Sequence, residues 1–433
     1  MIGKKTLPGK TSENSRGNPL WRRSGVRRFL GWTGLVVAVL ALILVALFLV
    51  VSLWPGVGAQ GADLLRGVIG DKAVAGLEMV VFQAQDTVNR WKYDLSLAKP
   101  SLAWEPVATI TPLQTSTSLS EGTLTPVSLP VGNSVTQTAP APSPTPFDTP
   151  TPSYLQPTNI PPLGDARDEG VWLPYILGAN GDTLAFRTFL QPDPTRPYTL
   201  VAVVAFDLSH TRLHFIMGTL EPAAPTAPAR SGKMPAADRE PNILLAAFNG
   251  GFKARHGEFG AVQDGITYLP PKDSLGTVVI YDDGRVRLGE WGKDVRLSSD
   301  IVSIRQNGPL VVQAGQINPR IYSNDPKDWG YTVNDVSPTI RTAIGLSQDN
   351  RTLFYFCGPS LSMEMLAKSM QAAGAWNAIQ LDINNYWSLF VKIDVVNGKL
   401  VPEPLLPKLM IAYTDRYLYD SSRDFFYITT NDN

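Results

Sequence analysis

Two residues set the chemical possibilities of this chain: Asp382, which closes the short apolar run Ala378-Ile-Gln-Leu381, and Arg341, which opens the run Arg341-Thr-Ala-Ile-Gly345. A carboxylate at the end of a buried strand is a common site position. A guanidinium can hold an oxyanion through two parallel hydrogen bonds. Upstream, Asn249-Gly250-Gly251 sets two unhindered backbone amides beside a side-chain amide, suited to a phosphate oxygen or a sugar hydroxyl. Beyond the acid, Asn384, Asn385, Tyr386 and Trp387 combine amide hydrogen bonding with aromatic stacking, the composition of a sugar-binding loop. His256 and Glu258, just past the Asn-Gly-Gly turn, are the nearest further proton carriers. Each residue also has a plainer reading. Arg341 is then a strand arginine on a solvated face, Asp382 a cap for the next turn, the glycines a tight turn, and Trp387 a ring packed under the sheet. His256 and Glu258 become solvated loop residues. His210 and His214 share one face of a strand without a Cys, Asp or Glu cluster beside them, so no metal site is expected.

The elements that must position these groups follow from pattern. Thr352-Leu-Phe-Tyr-Phe-Cys357 is an apolar strand, broken by Gly358-Pro359-Ser360; Ser360 or Ser362 then caps a helix. Leu361, Met365, Leu366, Met370 and Ala373 recur at helical spacing, and Gly374 supplies the left-handed stop. The stretch 378–381 is the strand that delivers Asp382. Earlier strands are expected over 183–189, 198–206, 212–217 and 243–248, the last delivering Asn249. Asp282-Asp-Gly284 marks a hairpin between 276–281 and 286–291. Strands over 301–305 and 309–313 follow, and the tail 409–413 is expected to close the sheet. With one long helix, the class is α+β, a mixed β-sheet domain with few helices.

The order Arg-x-Ala-Ile-Gly, apolar strand, Gly-x-Ser, helix ending in Ala-Gly-Ala, then Leu-Asp resembles the phosphodiester glycosidase family, whose animal member removes N-acetylglucosamine to uncover a mannose phosphate. Asn249-Gly250-Gly251-Phe252 and Gln306-Asn-Gly-Pro-Leu310 look like two further motifs of that family, so the resemblance covers about 200–413. It implies a hydrolase that separates a sugar from a phosphate. Phosphate leaves readily, so the general-acid requirement is relaxed, while a carboxylate nucleophile or base and a cationic clamp remain necessary. On this resemblance Asp382, Arg341 and Asn249 are catalytic, Gly250, Gly251, Asn307, Asn384 and Trp387 bind substrate, and His256 and Glu258 are the further proton carriers. No residue names a cofactor. The family usually follows its acid with Asp-Gly-Gly-Gly-Ser, whereas Asp382 is followed by Ile383-Asn384-Asn385, which cannot take the same backbone path. The chain also resembles a membrane-anchored bacterial branch that keeps Leu-Asp-Ile-Asn with a tryptophan downstream. The expected substrate is a sugar–phosphate linkage of envelope glycans or glycolipids; the alternative is a carbohydrate-binding module on the same fold, without turnover.

The rest of the 433-residue chain reads as anchor and spacer around one folded unit, 165–433. Its 38 Lys+Arg against 38 Asp+Glu leave no net charge, and so no footprint for nucleic acid. Residues 1–28 form a basic cytoplasmic flank, and 29–54 contain no charged side chain over a length that spans a bilayer. The positive flank places the C-terminal part outside, as an uncleaved single-pass anchor. In the helical segment 55–99, Val74, Leu77, Val81, Ala84, Val88, Trp91 and Leu95 keep heptad spacing, a seam for a homo-oligomer or a helix lying on the membrane. The Pro/Thr/Ser-rich stretch 100–164 cannot bury a core and is expected to be a disordered, extended spacer. The single cysteine, Cys357, excludes an intrachain disulfide and sits as a small buried hydrophobe.

Overall fold

The computed structural model describes residues 61, 64–97, 153–323, 326–329, 338–410 and 413–431. The chain divides into two compact units, Met1–Leu64 and Leu65–Asn433. The basic flank 1–28, the expected membrane span 29–54 and residues 100–152 of the spacer lie outside the described residues. Among those residues no helix is long and apolar enough to cross a membrane.

The second unit is mostly β-sheet with few helices. Its strands in chain order are β1 (Leu173–Leu177), β2 (Thr183–Leu190), β3 (Val201–Asp207), β4 (Thr211–Ile216), β5 (Leu244–Asn249), β6 (Ala261–Gln263), β7 (Ile266–Leu269), β8 (Gly276–Tyr281), β9 (Val286–Glu290), β10 (Ile301–Gln306), β11 (Val312–Gln313), β12 (Gln316–Ile317), β13 (Thr339–Leu346), β14 (Thr352–Leu361), β15 (Asn377–Gln380), β16 (Phe390–Val396), β17 (Lys399–Pro404) and β18 (Phe425–Thr430). They form three sheets, ordered β1-β2-β3-β14-β13-β15-β11-β12, β7-β6-β10-β8-β9 and β17-β16-β5-β18-β4. Every ladder between these strands is antiparallel, as short turns allow; among the described residues, parallel pairing is confined to the isolated bridges Glu221–Arg423 and Trp291–Val295.

One large core draws on all three sheets, with Phe206, Tyr355, Phe248, Phe390, Phe425 and Phe426 buried in it. These rings place the site, because they lock together the strands whose ends form it. The opposite face of the first sheet is covered by the helix at Met363–Ala372, here α2, through Leu366, Ala367 and Met370 against Val203, Ala343 and Phe356. Ser362 caps α2 by accepting from Met365 N–H at 3.3 Å, and Gly374 ends it with φ +86°. Cys357 is buried, and burial pushes its thiol up to about 12, so it packs as a hydrophobe.

Two expectations shift. The strand from Thr352 does not break at Gly358 but runs on to Leu361, because a register irregularity opposite Thr339–Arg341 absorbs the Gly-Pro-Ser step. The expected closing strand 409–413 lies partly outside the described residues, and the strand 425–430 sits inside its sheet, between β4 and β5. Ordered packing also begins before 165: Leu155 N–H donates to Asp207 at 2.6 Å, Tyr154 stacks on His210, and Ile160 is buried.

The helix Asp71–Asp94, here α1, occupies the middle of the expected 55–99 segment. It turns Val74, Phe82 and Asp86 inward and leaves Leu77, Val88, Trp91 and Leu95 exposed. Asp86 binds Arg196 Nε at 2.9 Å and Tyr198 Oη at 2.7 Å. The heptad seam is thus largely unburied within one chain.

Candidate functional site

The site lies where β5, β15 and β18 end side by side. Asn249 closes β5, and the sheet edge is stitched there by a short relay. Asn249 Nδ2 donates to Thr342 Oγ1 at 2.9 Å, and Thr342 Oγ1 donates to the Asp382 carbonyl at 2.6 Å. Asp382 N–H then donates to the Gly250 carbonyl at 3.1 Å. Tyr355 Oη donates to Asn249 Oδ1 at 3.0 Å. The Asn249 amide is therefore committed to joining two strand ends.

Two carboxylates face one small cavity, each held by a buried arginine. Asp382 Oδ2 accepts from Arg423 Nη2 at 2.5 Å, and its Oδ1 accepts from the N–H groups of Ile383 (2.8 Å) and Asn384 (3.1 Å). Asp424 Oδ2 accepts from Arg305 Nε at 2.7 Å and from Gly251 N–H at 3.0 Å, while its Oδ1 is buried with no hydrogen-bond partner. Burying such pairs is costly, but removing one partner leaves an uncompensated charge and costs about 3–5 kcal/mol. The two pairs are cross-linked, since Arg423 also donates to the Gly251 carbonyl at 3.0 Å.

Gly250 and Gly251 are required by these contacts. A β-carbon on Gly250 would overlap the Asp424 carboxylate, and one on Gly251 would lie 2.8 Å from Arg305 Nη2. The rim is aromatic and cationic: Trp387 lies under Arg416 and Arg423, whose guanidinium carbons are 5.3 and 5.2 Å from its ring centre. Tyr386 meets Trp387 edge-on at 4.7 Å. The enclosed cavity measures about 10 Å³, room for about one water. A sugar must therefore sit on the rim, with at most an oxyanion or hydroxyl reaching inside.

Of the residues singled out from sequence, Asn249, Gly250, Gly251, Asp382 and Trp387 line this cavity. Arg341 does not, and neither is it on a solvated face. It is fully buried on the central strand β13, where Nε donates to the Leu361 carbonyl at 2.8 Å and Nη1 to Gln380 Oε1 at 3.1 Å. Asn307 lies behind the site, accepting from Phe252 N–H at 2.9 Å and donating to the Gln380 carbonyl at 2.6 Å. Asn384 caps its own turn, accepting from Tyr386 N–H at 3.0 Å. Glu258 is an exposed loop residue 3.5 Å from Lys272. His256 is half-buried beside Phe252 and accepts from Arg255 Nε at 3.2 Å. Burial, reinforced by Arg255, holds its imidazole down at about 4, so it is neutral near pH 7.

Arg423, Asp424, Arg416 and Arg305 complete the site, and sequence reasoning passed over them. A signal was present. Arg423-Asp424 immediately precedes the apolar run Phe425-Phe-Tyr-Ile428, the same acid-beside-a-strand pattern that singled out Asp382. No three His, Cys, Asp or Glu side chains are grouped as metal ligands among the described residues.

Comparison with known proteins places the segment that carries most of these residues. Residues 242–397 match the phosphodiester glycosidase family. This segment is similar to a phosphodiester glycosidase domain. Arg416, Arg423 and Asp424 lie beyond the matched segment. Among solved structures, the chain is similar to the catalytic domain of zebrafish N-acetylglucosamine-1-phosphodiester alpha-N-acetylglucosaminidase, auto-inhibited by its pro-peptide, at 15% identity and a TM-score of 0.38, covering 60% of this chain and 87% of that one. It is also similar to a hypothetical protein from Synechocystis, at 11% identity and a TM-score of 0.35, covering 60% of this chain and 64% of that one. No curated protein matches the chain.

Proposed function

We propose that this protein is a membrane-anchored extracytoplasmic hydrolase that cleaves the bond between a sugar and a phosphate in envelope glycans or glycolipids. The observation that carries the reading is the pair of carboxylates, Asp382 and Asp424, lining one cavity with an arginine on each. Glycoside hydrolysis runs on two carboxylates flanking the bond, and a phosphate leaving group needs cations at its oxygens. Arg416 supplies one at the rim, backed by the buried Arg423, and Trp387 offers a face for the sugar ring. Asp424 keeps one oxygen unbonded and is the carboxylate left to act on a water held in the cavity. Asp382, with both oxygens engaged, orients Arg423. The charge-free stretch 29–54 and its basic flank support the anchored topology.

A second reading has its own support. Because Asp382 is fully bonded and the cavity admits about one water, the same rim could hold a glycan without turning it over. One experiment separates the two. The full-length chain is offered an N-acetylglucosamine phosphodiester and the matching glycoside that lacks phosphate. Release of sugar from the first alone, lost in Asp424→Asn with substrate affinity retained, supports the hydrolase. Glycan binding without turnover of either compound, abolished by Trp387→Ala, supports the binding module instead.

A further inference from the structure

A second cleft opens at the far end of the domain, where three turns from three sheets converge. Its walls are the β3–β4 turn at Leu208 and Ser209, the β8–β9 turn at Asp283 and Gly284, and the β13–β14 turn at Asp349 and Asn350, closed by Asn431 after β18. Its volume is about 490 Å³, within the range of sites that hold a small organic ligand. Asp424 and Asn431 flank the same strand, β18, so a strand's length of about 23 Å separates this cleft from the first.

Four arginines line it, Arg212, Arg285, Arg287 and Arg351, against two aspartates, Asp283 and Asp349. The aspartates are already used. Asp283 accepts from Arg285 and its N–H, and Asp349 from Ser347 Oγ and Arg351 N–H. Arg285 is spent on Asp283 and Asp300, and Arg351 on Asp207. Arg212 and Arg287 remain, and no carboxylate among the described residues pairs with either. Arg212 is nevertheless held in place: its Nε donates to Asn431 Oδ1, and its guanidinium lies over the Gly284 turn, 3.3 Å from where a β-carbon would stand. Arg287 projects from β9 and is exposed. A concave site that fixes one guanidinium and leaves a second unmatched concentrates anions, because low-dielectric walls focus the field of unpaired charges.

We infer that this distal cleft binds a phosphate group of a sugar–phosphate chain, so that the substrate is a polymer long enough to engage both ends of the domain. The inference rests on the phosphodiester reading of the first cleft. A chain held at two points gains affinity through effective concentration without any new contact at the site of cleavage.

The test measures binding by the full-length protein, at low ionic strength, of a synthetic poly(sugar phosphate) of about ten repeats, its single repeat unit, and the same glycan without phosphate. The polymer is expected to bind at least about tenfold more tightly than the unit. That excess should disappear in Arg287→Glu and in Arg212→Gln/Arg287→Gln, with turnover of the single unit unchanged. Arg287→Glu guards against misfolding, since Arg287 is exposed and makes no contact that the fold needs. Persistence of the excess in both variants, or an equal excess for the phosphate-free glycan, overturns the inference. Should no phosphodiester be hydrolysed while the Arg287-dependent excess remains, the reading of the first cleft fails and the distal site stands.

Discussion

Arg423 reaches Asp382 at 2.5 Å through the same Nη2 that contacts the Gly251 carbonyl, so one guanidinium ties the loop after β15 to the turn after β5. Its residue neighbour Asp424 takes the Gly251 N–H. The Arg-Asp dipeptide thus grips both polar groups of a single peptide-bearing residue. Arg423→Ala should cost about 3 kcal/mol by urea denaturation, because Asp382 is left buried without its cation. Arg423→Lys should restore part of the stability and little of the turnover, having lost the fork.

Gly250→Ala should be more damaging than Gly251→Ala. The new methyl group at 250 would overlap the Asp424 carboxylate and crowd its backbone carbonyl, whereas the neighbours of Gly251 are the side-chain ends of Arg305 and Asn307, at 2.8 Å or more. The expected outcome is loss of activity by at least about 100-fold at 250, beyond any fall in thermal stability, since catalytic geometry tolerates little misplacement. Steady-state kinetics beside a melting curve distinguishes the two effects.

Arg341→Lys should behave as a stability variant. The Arg341 bonds to Leu361 and Gln380 hold β14 and β15 to β13 inside the sheet. A loss of about 2 kcal/mol is expected from buried donors and acceptors left unmet. KM for the phosphodiester, measured on the folded fraction, should be unchanged. A selective rise in KM would return Arg341 to the role of phosphate clamp.

His256 gives the fold an acid-side liability. Its imidazole is held at about 4 in the folded chain against an ordinary 6.5, so between those values the unfolded chain binds a proton that the folded chain refuses. Stability then rises with pH through that window and is fully present above it. His256→Gln should flatten this part of the urea-midpoint profile while leaving the plateau near neutrality in place.

The strands that frame the site were legible because their apolar runs are long and bounded by turn residues, as with Thr352–Cys357 and the run ending at Phe248. Asp382 and the two glycines were legible for the same local reason. Arg341 was misplaced because an arginine in an apolar strand has two physical solutions, a functional cleft or a fully bonded burial, and only the neighbouring Gln380 and Leu361 carbonyl decide between them. Asp424 carried the local sign of an acid beside an apolar run, but the pairing with Arg305 that sets it in the site spans 119 positions, a contact no local pattern reports.

The place of β18 inside its sheet has a kinetic meaning. Its ladder with β4 sets Tyr427 opposite His214, whose ring also bonds the Thr429 hydroxyl 215 positions away, and the same strand presents Asp424 to Arg305. Neither the third sheet nor the two-carboxylate cavity can exist until segments from both ends of the folded domain have met. Contacts of such sequence separation fold slowly. On a ribosome, β4 and β5 would wait, with the position between them unfilled, until β18 emerged. The exposed flank of β5 would be the vulnerable surface in that interval, and a chaperone that shields unpaired strand edges would raise the yield of active protein more than one that acts on helices.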